Sequence, residues 1–184
     1  MPHLIKAKAV RSYANWLARE NKLNRVLEEV PPSTAALVCN PPLPSTWVDA
    51  ALLEPVFCAI ERLDGDDVLR RMSREALRAE LIPPLRRMMS AIVRLLGASP
   101  GTLYGHMNEL IKTSVVGLDI GFTSTSTRSG VVVASFDVPG EVPACIFIAL
   151  TATLEAVLDF CGARGKVSGP VREAPARARY QIEW

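Results

Sequence analysis

The sequence predicts an α+β fold, N-terminal helices packed on a four-stranded antiparallel sheet, and three observations carry that expectation. Apolar residues recur at helical spacing up to about Thr113. From Ser114 the period changes, with Val116, Leu118, Ile120 and Phe122 alternating against Gly117, Asp119 and Gly121. The last residues alternate most clearly of all: Ala176, Ala178, Tyr180, Ile182 and Trp184 point one way, Arg177, Arg179, Gln181 and Glu183 the other.

In the first half, Ala7 to Glu20 sets Ala9, Val10, Tyr13, Trp16 and Leu17 on one helical face. Leu23 to Val30 reads as a shorter helix stopped by Pro31-Pro32, and Pro41-Pro42-Leu43-Pro44 forces an extended connection. Ser45 is placed to cap a helix from Thr46 to Leu63, with Trp47, Ala51, Leu52, Val56 and Ile60 inward. Asp64-Gly65-Asp66 ends it and begins another, striped by Val68, Met72, Ala76 and Leu77 as far as Pro83-Pro84. Leu85 to Leu96 and Gly101 to Thr113 each read as one further helix.

The second half reads as ββαββ. Two strands, to Phe122 and from Val131 to Val138, flank the turn Thr127-Arg128-Ser129-Gly130. Pro143 opens a helix that runs to Phe160 and ends at Gly162; Lys166 to Arg172 and Arg177 to Trp184 form the last two strands. Ala144 to Leu150 is apolar without a break, so this helix must be covered on at least two sides. The sheet is expected to take Phe147 and Leu150. Ile146 or Ile148 is left for a dimer partner or a ligand. Neither a repeat nor a linker divides the chain, so residues 1–184 are expected to form one domain, helical over 1–113 and ββαββ over 114–184.

Composition excludes several classes of function. The chain has 184 residues, 49% apolar and 22% charged, and the mean hydropathy of +0.19 leaves room for an apolar pocket or a buried partner surface, while dense core packing alone would explain it as well. Its 21 basic and 19 acidic residues are interspersed, as in Arg70-Arg71 and Arg74-Glu75, which argues against a nucleic-acid surface. The N-terminus lacks the order of a signal peptide, and the greasiest run, Val142 to Leu154, is shorter than the roughly 20 residues a bilayer requires. A cytoplasmic protein without a membrane span is expected. Cys39, Cys58, Cys145 and Cys161 show no metal-ligand spacing and read as free thiols.

The second half also resembles a known group. The Leu/Tyr stretch around Tyr104, the hairpin, the greasy helix into Gly162-Ala163-Arg164 and the closing Tyr180-Gln181-Ile182-Glu183-Trp184 look like an uncharacterised paralogous family of myxobacteria. That family is similar to the superfamily of vinyl-reductase-like, haem-nitric-oxide-binding and transport-particle domains. The resemblance implies helices on one side of a twisted antiparallel sheet, an apolar cavity between them, and sensing or scaffolding in place of catalysis. It does not carry a cofactor over. The C-terminal cysteine cluster that binds zinc in vinyl-reductase-like domains is missing, and Ser124-Thr125-Ser126 leads to Arg128 without the tyrosine of the haem motif.

The residues themselves supply no catalytic set. Two histidines, of which His106 is the interior one, do not assemble a nucleophile with its base, and no phosphate-binding loop follows a strand. The candidates for contact with a ligand are Cys58, Met88, Tyr104, Ile146 and Ile148, with no catalytic residue and no metal ligand. Cys58 is included because some transport-particle proteins hold an acyl group on a cysteine. The expected function is a non-enzymatic regulatory or sensory module that binds a small apolar molecule, as a homodimer or with another protein. The alternative is a structural protein-interaction module whose cavity is filled by its own side chains.

Overall fold

The computed structural model describes residues 3–80 and 99–184. A short strand, β1 (Leu4–Lys6), runs straight into α1 (Ala7–Arg19), which buries Ala7, Ala9, Val10, Trp16 and Leu17. Trp16 Nε1 donates to Glu75 Oε2 at 3.0 Å, so the one polar atom of that buried indole is satisfied. After α2 (Leu23–Leu27) comes a helix the sequence reading lacks, α3 (Pro32–Cys39). Pro32 stands in its first turn, where a missing N–H costs nothing, so a residue read as a stop is a start. Arg11 organises the proline-rich stretch behind it, donating to the carbonyls of Pro41 and Pro42 at 2.9 and 3.0 Å.

The helix expected from Thr46 to Leu63 is shorter than that. Trp47–Asp49 is a strand, β2, Ala50–Leu52 is a single 3-10 turn, and α4 runs only from Glu54 to Asp64. Trp47 and Val48 pair with Lys6 and Ile5, and that pairing wins over the helical stripe. The cap is Asp49, whose Oδ1 accepts from Ala51 N at 3.0 Å, and Ser45 has no part in it. Gly65, at φ 84°, turns the chain into α5 (Asp66–Glu80), where Leu69, Met72 and Ala76 are buried. The expected helix Leu85 to Leu96, and Met88 within it, lies outside the described residues. Gly101 to Thr113 is two helices, α6 (Pro100–Gly105) and α7 (Met107–Lys112), broken at His106. β3 (Val115–Val116) then joins β1, completing a small sheet in the order β2-β1-β3.

The ββαββ half is present: β4 (Leu118–Ser126), β5 (Ser129–Phe136), α8 (Ala144–Cys161), β6 (Lys166–Ala174) and β7 (Arg177–Glu183). The sheet is antiparallel in the order β4-β5-β7-β6, with Val132 opposite Tyr180 and Ala134 opposite Ala178. One face is buried, through Leu118, Ile120, Val132, Ala134, Ala178, Tyr180 and Ile182. The α+β architecture expected from the sequence is therefore the observed one.

α8 lies on that face and separates two apolar cores. Phe147, Leu150, Leu154 and Leu158 meet the sheet. Cys145, Ile148 and Ala149 belong to the core of the N-terminal helices. Ala152 and Ala156 are fully buried, and α5 is the main helical neighbour of α8. At its far end Arg74 and Arg78 both donate to Asp159, at 2.5–2.7 Å. Burial alone would raise the Asp159 carboxyl, but these two guanidinium groups hold it below the usual range. The full helix, 18 residues, is longer than the run read from sequence and by length and composition could cross a membrane. Its position between two cores accounts for the same apolar character.

Candidate functional site

Where the two halves meet at the start of α8, their side chains leave a cavity of about 120 Å³. α8 supplies Ile146, Ala149, Leu150 and Thr153, spaced so that they share one helix face. Opposite stand His3 and Ile5 at β1, Tyr13 of α1, and Ala50, Leu53, Glu54 and Phe57 leading into α4. Val115, Leu118 and Phe136 close it from the sheets. The lining is overwhelmingly apolar.

His3 and Glu54 bring ionisable groups to this wall. The His3 carbonyl accepts from Ala50 N at 2.9 Å, which ties the segment before β1 to the turn before α4. The His3 ring meets Phe136 edge to face, with centroids 5.3 Å apart. Burial holds the imidazole below its usual pKa, and nearby Asp49 only partly offsets this. Burial pushes the Glu54 carboxyl up, and Asp49 adds to the shift. Both effects favour the uncharged form, as suits an apolar enclosure.

Of the sequence-derived candidates, Ile146 lines the cavity. Ile148 points instead into the N-terminal core, 8% exposed. Tyr104 is buried beneath the sheet, its hydroxyl donating to Leu154 O at 2.7 Å and its ring stacked on Phe122. Cys58 follows the cavity residue Phe57 but turns towards α8, its Sγ 2.7 Å from Cys145 Sγ. Met88 lies outside the described residues. His3, Tyr13, Leu53 and Ala149 were not among the candidates: each looks like ordinary core or terminus, and only the tertiary fold collects them.

The haem of the nitric-oxide-binding members of that superfamily does not fit the described residues. A macrocycle needs space in the range of about 300–1,000 Å³ usual for ligand sites, well above the cavity here. It also needs an axial histidine, thiolate, methionine or tyrosine. His106 is exposed, with Nδ1 3.2 Å from Glu109 Oε2. The Tyr104 and Tyr180 hydroxyls are committed to backbone carbonyls, at 2.7 and 2.9 Å. His3 and Tyr13 do face the cavity, but Glu54 shares its lining, and no lysine or arginine there meets the acidic edge of a haem. Among the described residues no three His, Cys, Asp or Glu side chains gather as metal ligands do.

No protein-family model matches the chain, and no curated protein matches it in sequence. Solved structures do match it in shape. A structure from work on haem distortion in the H-NOX family superposes with a TM-score of 0.68 at 12% identity, covering 98% of this chain and 95% of that one. An oxygen-binding H-NOX domain related to soluble guanylate cyclases, in its oxygen complex, gives 0.64 at 11% identity over 97% and 94%. The unliganded Fe(II) H-NOX protein from K. algicida gives 0.65 at 5% identity over 97% and 96%. The chain thus has, along nearly its whole length, the fold of the H-NOX domains.

Proposed function

We propose that this chain is a non-enzymatic sensory domain that takes up a small apolar molecule, of about the size of one aromatic ring, in the cavity between its two halves. The observation that carries the reading is the cavity itself. An enclosed apolar void of this order accepts a benzene-sized guest; the space here has a similar volume and a mainly apolar lining, with one side open to solvent. The likeness to an oxygen-binding H-NOX domain supports a sensory role, with the guest held by the protein walls in place of haem. In this reading the domain acts in the cytoplasm and passes its state to a protein partner, which includes a second copy of the chain.

The test is thermal unfolding with benzene and with indole. A guest present at 100 times its Kd should add about 2.7 kcal/mol of stability, or about 5–10 °C in a domain of this size. Ala149→Leu fills the space from α8 and should abolish that shift, at a cost to the variant of about 1–3 kcal/mol. Haemin added to the protein should keep the broad Soret band of free haemin, with no sharpened and shifted band. If neither guest moves the midpoint, or Ala149→Leu responds as the parent does, the cavity is no binding site and the self-filled interaction module replaces this reading.

A further inference from the structure

The two thiols beside the cavity belong to different halves of the molecule. Cys58 is half-buried on α4, and Cys145 is fully buried in the first turn of α8. They are 87 positions apart in sequence, yet their Sγ atoms lie 2.7 Å from each other. Their chemistry differs because their surroundings do. Burial, followed by the hydrogen bond with Cys58, pushes the Cys145 thiol well up, so it stays protonated and shielded. Cys58 is the more exposed of the two.

We propose that Cys58 and Cys145 form an oxidation site, at which a peroxide converts the two thiols into an intramolecular disulfide joining α4 to α8. The Cys58 sulfur attacks a peroxide oxygen, the O–O bond breaks, and an alcohol or water leaves, with Cys58 now a sulfenic acid. Cys145 Sγ then attacks the Cys58 sulfur. The S–O bond breaks, and the hydroxyl departs as water with the proton from Cys145. The two thiols have lost two electrons and the peroxide has gained them. The product is a covalent bolt between the N-terminal helices and the helix that carries the sheet. It sits immediately beside Phe57 and Ile146 of the cavity wall, although the proposal does not depend on a guest binding there.

The experiment uses the full chain with Cys39→Ser and Cys161→Ser, which leaves this pair as the sole thiols. One equivalent of hydrogen peroxide in native buffer should lower the intact mass by about 2 Da, the two hydrogens lost. Both thiols should then be missing from a titration in denaturant, and dithiothreitol should restore them. In native buffer the sulfenic acid should close to the disulfide before dimedone can trap it, whereas in guanidinium dimedone should capture it, because folding holds the two sulfurs together for the second step. With Cys145 also changed to Ser, Cys58 should instead collect a sulfenic acid that dimedone traps. If the double-serine chain does not fold, peptide mapping of the peroxide-treated parent should find the Cys58–Cys145 link. Retention of both thiols, gain of oxygen without loss of the two hydrogens, or cross-linking between molecules would each overturn the proposal.

Discussion

His3 shows how the burial of one side chain biases the acid response of the protein. Its pKa is held below the usual 6.5, mainly by burial, so the folded state takes up its proton at lower pH than the unfolded chain does. Above pH 6.5 neither state is protonated and His3 costs nothing. As pH falls through 6.5 the unfolded chain binds the proton first, and stability declines until the folded pKa is passed. Glu54 has the opposite sign: its raised pKa makes the folded state lose stability as pH rises from 4.5 towards the folded value. The parent should therefore melt lower as pH drops from about 7 to 5.5, and His3→Gln should flatten that slope. An unchanged slope in His3→Gln would show that another group is responsible. Sequence reading passed over His3 because a residue near a terminus has no periodic neighbours to declare it buried. His106, which it weighed instead, is exposed on the surface.

Among the elements, α8 and the strands were legible and the shortest pieces were not. β5, β7 and α8 each span several periods of their pattern, so the alternation or stripe is visible in the residues alone. β1, β2 and β3 span two or three residues each, less than a pattern needs, and α3 carries only Thr34 and Val38 buried. The apolar run of α8 correctly required two covers. Which cover Ile148 has could not be read, since the N-terminal helices that supply it lie far away in sequence. Of Ile146 and Ile148, one of which was expected to face a partner or a ligand, Ile146 lines the cavity, and Ile148 is covered within the chain by the core that includes Val10, Leu53 and Phe57. Ile148→Asp would place an unpaired charge in that core, at about 3–5 kcal/mol. The expected outcome is a chain largely unfolded at 37 °C by circular dichroism. A folded monomer with the parent's melting temperature would show that Ile148 faces outward.

At the scale of the molecule, the cavity is the part least available to sequence reading. Its walls come from residues 3 to 153, and no local pattern brings His3, Leu53, Phe136 and Ala149 together. The general form was available: helices on one face of an antiparallel sheet, with an apolar space between. What the structure adds is that the space lies at a seam and that α8 belongs to both sides of it. That double membership has a consequence for how the protein comes apart. Removing the N-terminal helices would strip one flank of α8, and removing the sheet would strip the other, so neither half has a stable partner-free form to open into. Native-state hydrogen exchange should accordingly place the amides of α4, α8 and β7 in one class, released together at the free energy of global unfolding. Exchange of α4 several kcal/mol below β7 would mean that the halves open separately. If they are released together, the molecule has no half-open state through which a guest could enter the seam. A guest would then enter by the side of the cavity that already opens to solvent.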